Sequence, residues 1–156
     1  MSLLDHPSSL LRVRLGGATV GLPALAVREI VRAVAITPVP GAPAIVEGAV
    51  SFRGLLVPVV DVRQRLALPP KALDADEFLV LLQAGARTIA MRVDDVDDLV
   101  ETDGSAVSDS ESLSPALRGL AGLTALADGV LVIYDPAGFI SAAEIDALDT
   151  ALAARA

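Results

Sequence analysis

The feature that most constrains this chain is a rhythm of short apolar runs separated by two-residue turn signals. Leu11, Val13 and Leu15 alternate with Arg12 and Arg14, the two-residue period of a half-buried strand. Gly16-Gly17 follows as a turn, and Val20 and Leu22 open the second arm of a hairpin. Gly48 to Phe52 and Leu55 to Val60 read as two strands joined at Arg53-Gly54. Phe78 to Leu82 and Ile89 to Val93 are joined across Gln83-Ala84-Gly85-Ala86, and Val96, Leu99 and Val100 extend that pattern. Leu120 to Leu126 and Val130 to Tyr134 make a last hairpin around Asp128-Gly129. Helical signals appear only near the end. Ser141 with Glu144 three residues on is a capping-box pattern, and Ile145, Leu148 and Leu152 mark an apolar stripe. Many short strands and one closing helix predict a mainly β, barrel-type architecture.

Proline sets the limits of these elements. Hydrophobic residues make up 53% of the 156 and mean hydropathy is +0.61, so a membrane span must be tested for. No run reaches the roughly 18 uncharged apolar residues that a spanning helix needs. The richest run, Ala33 to Val46, is broken by Pro38, Pro40 and Pro43, which also exclude a helix interior. Ile36 to Pro43 is therefore expected as an exposed, stiff loop. Pro58 predicts an edge position or a bulge for its strand. Val27 to Val31 reads as ordered without declaring its type, while Leu68 to Asp76 and Thr102 to Pro115 read as loops. Met1 to His6 lacks a basic region followed by an apolar one, so no signal peptide and a cytoplasmic location are expected.

Catalytic chemistry finds little material. There is no cysteine, and the single histidine, His6, sits in a terminal stretch that reads as a solvated tail. No Gly-x-Ser-x-Gly elbow and no phosphate-binding Gly-Lys-Ser/Thr is present. Asp94, Asp95, Asp97 and Asp98 form the most metal-like cluster. A calcium loop begun at Asp94 would place Leu99 where Gly is required and Ser105 where Glu is required, so a solvated acidic strand end is the expectation. A net charge of −8 argues against nucleic acid as a partner. The reading is of a non-enzyme without cofactor or metal, whose apolar surplus points toward protein partners.

The segment from Val27 to Leu66, VREIVRAVAITPVPGAPAIVEGAVSFRGLLVPVVDVRQRL, resembles the CheW family of chemotaxis coupling proteins. Glu29-Ile30, Ile36 to Pro40, Gly48, Arg53-Gly54, Pro58, Asp61 and Arg63 stand in the order and spacing of the family's motifs. Arg92-Val93-Asp94-Asp95-Val96 looks like its second, V-D-x-V signature. The likeness runs from about Leu10 to Leu152. Two positions depart from the pattern: Ser51-Phe52 stands for the family's Asn-Leu, and Ala90 for a frequent Gly.

The resemblance implies two packed five-stranded, SH3-like β-barrel lobes with a C-terminal helix, in one domain spanning 1–156. The expected lobes are 8–62 plus 135–156, and 63–134. It also implies a non-catalytic adaptor that couples chemoreceptors to a CheA-type histidine kinase. Its partners would be the kinase regulatory domain and the cytoplasmic tip of methyl-accepting chemoreceptors, with no direct membrane insertion. Val27, Glu29, Gly48 and Arg53 match positions associated with receptor contact. For Val27 and Gly48 the plain alternative is packing and turn geometry, and for Arg53 a salt bridge to Asp61 or a similar neighbour. The kinase-facing surface is expected between Phe78 and Leu126, with no residues assigned. The competing reading is a small two-lobed barrel that binds an apolar ligand, or another kinase-associated partner without a receptor.

Overall fold

The computed structural model describes residues 8–102, 108–109, 120–126 and 129–154. Strand β1 (Ser8–Leu15) turns at Gly16-Gly17 into β2 (Ala18–Pro23), and a single 3-10 turn over Ala24–Ala26 leads to β3 (Val27–Arg32). The pair β4 (Val46–Phe52) and β5 (Leu55–Val60) is followed by the one-turn helix α1 (Val62–Arg65). Then come β6 (Phe78–Ala84), β7 (Arg87–Val93), β8 (Asp95–Thr102), the two-residue β9 (Ser108–Asp109), β10 (Leu120–Leu126) and β11 (Gly129–Tyr134). Helix α2 (Ala142–Ala153) closes the chain, its first turn fixed by the capping box between Ser141 and Glu144. His6 and the Asp128-Gly129 turn residue Asp128 lie outside the described residues, as do most of 102–115.

The strands form two sheets, ordered β8-β1-β2-β11-β10-β9 and β3-β6-β7-β5-β4. The second is five-stranded; the first carries the two-residue β9 as a sixth strand. Their membership differs from the expected lobes. The first lobe takes β1 and β2 together with β8 to β11, and the second takes β3 to β7, so the chain changes sheet at Ala24–Ala26 and again at Asp94. Hydrophobic alternation identifies a strand but not its partner, and β2 pairs in parallel with β11, more than a hundred residues away.

Alternation along each strand sends one set of side chains between the sheets and the other into the barrels. Leu11, Val13, Leu15, Val20 and Leu22 meet Val60, Val80, Leu82, Met91 and Val93 in one continuous core, which also takes up Phe139 and Leu148. The opposite face of the second sheet buries Val50, Val57, Val59, Leu79, Leu81 and Ala90 inside its own barrel. Each fully buried aliphatic side chain contributes about 2 kcal/mol. Leu82→Ala, in the shared core, is expected to cost about 2–5 kcal/mol.

Pro58 lies in an interior strand and not at an edge, but the alternative expectation of a bulge holds: the β4–β5 register slips between Val46 and Gly48, opposite Val60 and Val59. Pairing of β5 with β7 starts only at Val59, so at Pro58 the strand has β4 alone as a neighbour, and the missing N–H breaks no ladder on the other side. The predicted loop Ile36–Pro43 holds, anchored by a backbone bridge between Thr37 and Ala49.

Candidate docking surface

The β4–β5 hairpin is built on a two-residue turn. Phe52 faces Leu55, and Arg53 and Gly54 between them have φ of +51° and +80°. Two consecutive positive φ values match the right-handed twist of the flanking strands. Gly54 accepts that geometry freely, whereas a non-glycine residue there is strained by about 1–2 kcal/mol. The turn thrusts Arg53 outward, with its side chain 74% exposed. Its guanidinium lies over the Phe52 ring, 4.9 Å from the centroid, and 3.7 Å from the Glu29 carboxylate. So Arg53 has a structural partner, but that partner is Glu29; Asp61 instead caps α1 by accepting from the Gln64 N–H at 3.2 Å. An exposed pair at this distance is worth no more than about 1 kcal/mol, so an incoming carboxylate can replace Glu29 at little cost.

Val27 does not join them. The pairing of β3 with β6 slips by one residue between Val27, opposite Leu82, and Glu29, opposite Leu81. This bulge sends the two side chains to opposite faces of the sheet. Val27 packs on the core between the lobes, beside the turn that carries Leu25, 88% exposed. Glu29 faces a cleft of about 200 Å³ shared with Phe52, Arg53, Leu55, Val57, Leu81 and Thr88.

Gly48 is buried. A Cβ on it would lie 2.4 Å from the Thr37 carbonyl oxygen and 2.8 Å from the Ile36 side chain. The close approach that requires glycine is thus to the chain's own proline loop, whose Thr37 N–H and C=O exchange hydrogen bonds with Ala49.

The most exposed apolar pair in this region is not among the residues that the sequence pattern singles out. Leu55 and Leu56, at the start of β5, are 61% and 58% exposed. Two open grooves meet at Leu56, and Leu55 lines the first of them. One, of about 570 Å³, runs past the β6–β7 turn at Gly85-Ala86 to Ile140 and Ile145. The other, of about 840 Å³, lies between Val34 to Val39 and Leu152 and has no charged side chain in its lining. Two successive leucines just after a turn break the expected alternation, and that break was the available signal.

The far end of the same barrel is sealed by charge. Arg92, only 7% exposed, donates to Glu77 and Glu47, each at 3.0 Å, and to the Lys71 carbonyl at 2.7 Å. Glu77 is 1% exposed; its second oxygen has no hydrogen-bond partner among the described residues and lies 3.9 Å from Lys71 Nζ. Burial pushes the Glu47 carboxyl up, against the opposing pull of Arg92. Asp94 differs: burial would raise it, but hydrogen bonds from Arg63, the Gly16 N–H and Lys71 prevail and hold it at about 2. Asp97 and Asp98 pair with Arg14 and Arg12. The expected solvated strand end holds for the exposed Asp95 and Asp98, the latter in a surface ion pair, while Asp94 and Asp97 are partly buried and paired, and no grouping able to hold a metal occurs among the described residues.

With this geometry in view, comparison with known proteins is direct. The CheW-like domain profile matches residues 9–144. The chain belongs to the CheW-like family. It is 26% identical over 137 residues to the chemotaxis protein CheW of Klebsiella aerogenes, covering 86% of this chain and 82% of that one. The chemotaxis protein CheW of Rhizobium meliloti is 31% identical over 98 residues, 63% of each chain. In fold it matches the crystal structure of the scaffolding protein TtCheW from Thermoanaerobacter tengcongensis, with a TM-score of 0.75 at 22% identity, over 82% of this chain and 88% of that one. Family members are non-catalytic scaffolds, and the chain is a chemotaxis scaffold of this type. No helix among the described residues is long and apolar enough to cross a membrane.

Proposed function

We propose that this scaffold couples chemoreceptors to a CheA-type histidine kinase by binding both through surfaces of the second lobe and its border with the first. The observation that carries the reading is the exposed Leu55–Leu56 pair at a hairpin tip between two open apolar grooves. Exposed leucines on a protruding hairpin favour a protein partner, and the kinase regulatory domain is assigned to the groove they share with Ala84 to Thr88, which extends the expected kinase-facing stretch of Phe78 to Leu126 to the β4–β5 hairpin. The receptor tip is a helical hairpin that offers an apolar ridge flanked by charges. Val27 and Leu25 at the lobe border suit the ridge, and the Glu29–Arg53 pair suits the flanking charges. Gly48 serves indirectly, by holding the proline loop that walls the larger groove. Such a complex would form in the cytoplasm, against receptor arrays.

The alternative, an apolar ligand held between the lobes, has less to support it. The interlobe core is filled by packed aliphatic side chains, and the grooves lie at the surface. The test is a pull-down of Leu56→Asp and Arg53→Ala variants against the kinase regulatory domain and a receptor-tip fragment. Leu56→Asp is expected to lose the kinase domain and Arg53→Ala to weaken the receptor fragment, each keeping parental thermal stability. Full binding of both partners by both variants would refute the assignment.

A further inference from the structure

The point where the chain passes from the second sheet to the first is held more tightly than the fold alone requires. That point is Asp94, directly after β7 and directly before β8. Its backbone N–H donates to the Arg14 carbonyl in β1 at 2.8 Å. Its side-chain oxygens accept from three separate elements: the Gly16 N–H in the β1–β2 turn at 2.6 Å, Arg63 in α1 at 2.5 Å, and Lys71 in the 68–77 loop at 3.1 Å. One donor belongs to the first lobe and two to the second. The network then continues through the Lys71 carbonyl to Arg92, and through Arg92 to Glu47 in β4, the strand that ends in the docking hairpin.

The core between the lobes is aliphatic, so its driving force is non-directional and orientation rests there on shape packing alone. Hydrogen bonds are directional, and those to ionised groups are the strong ones. We infer that Asp94, gripped by Gly16, Arg63 and Lys71, is a clasp that sets the relative orientation of the two lobes. Resting on the adaptor reading above, the same clasp carries the influence of a receptor bound at the lobe border to a kinase domain bound at Leu55–Leu56. Asp94 acts here as a positioning residue and touches neither partner.

Because the chain has no cysteine, nitroxide labels on Ala44→Cys in the second lobe and Leu99→Cys in the first report interlobe distances without background. The full chain is expected to give one narrow distance distribution, broadened and shifted by Asp94→Asn and, less strongly, by Lys71→Met. Parental distributions in both variants would overturn the clasp. If Asp94→Asn fails to fold, Lys71→Met decides by the same criterion. For the coupling, the factor by which a saturating receptor-tip fragment changes kinase-domain affinity should fall to about one in Asp94→Asn, with each binary affinity kept within about twofold. A broadened distribution with an unchanged factor would remove the clasp from the coupling. Failure of the parent chain to bind either partner would instead sink the adaptor reading, and the label distances would still decide the clasp.

Discussion

The two ends of the second barrel are built from the same five strands and have opposite physics. At one end, Arg92, Lys71 and Arg63 pair with Glu77, Glu47 and Asp94 in a buried or half-buried network. At the other, Leu55 and Leu56 stand in solvent beside the Glu29–Arg53 and Arg87–Asp149 ion pairs at the surface. The contrast teaches where stability and recognition are separated. Ionic groups at the sealed end have few alternative partners, so changing one leaves another charge stranded. At the open end the charges are cheap to exchange and the apolar groups are already paid for in exposure to water.

Variants sharpen that contrast, beginning with the largest effect. Arg92→Leu strands Glu77, which is 1% exposed, and should cost about 3–5 kcal/mol in urea unfolding. A loss below 1 kcal/mol would mean that the sealed end is no more rigid than the open one. Gly48→Ala drives a Cβ into the Thr37 carbonyl oxygen and should cost about 3 kcal/mol, read as a fall in melting temperature. Acid acts next. Asp94 is held at about 2, below its value of about 4 in an unfolded chain. A depressed carboxylate stabilises the fold above its unfolded pKa and loses that contribution as pH falls through the folded one. Roughly 2 kcal/mol should therefore disappear between about pH 4 and pH 2, and Asp94→Asn should flatten that part of the profile. The smallest effect belongs to the open end. Arg53→Asn places a residue better suited to positive φ in the turn and should leave stability unchanged or raise it by up to about 1 kcal/mol. It should nevertheless weaken the receptor fragment, since stability and binding part company there.

Much of this was legible in the sequence, for identifiable reasons. Hairpins at Gly16-Gly17 and Arg53-Gly54 follow from turn chemistry and two-residue alternation, and the closing helix from Ser141 and Glu144. What stayed hidden depends on distant partners. No local pattern says that β2 pairs with β11, so the lobe boundaries fell elsewhere. The bulge that separates Val27 from Glu29 is a one-residue slip against β6 and leaves no mark on either sequence segment. Arg63, Lys71 and Asp94 are spread over 31 residues and meet only because the 68–77 loop folds back on the sheet junction. The Glu29–Arg53 pair joins two residues already singled out separately, and only the curl of the sheet brings them to 3.7 Å.

The central claim is that one chain holds a receptor and a kinase at the same time. Sedimentation of the purified chain with a chemotaxis-type kinase regulatory domain and a receptor-tip fragment tests it most directly. A ternary complex is expected, lost to binary complexes of different kinds in Leu56→Asp and Arg53→Ala. Binding of neither partner, or mutually exclusive binding of the two, would contradict it.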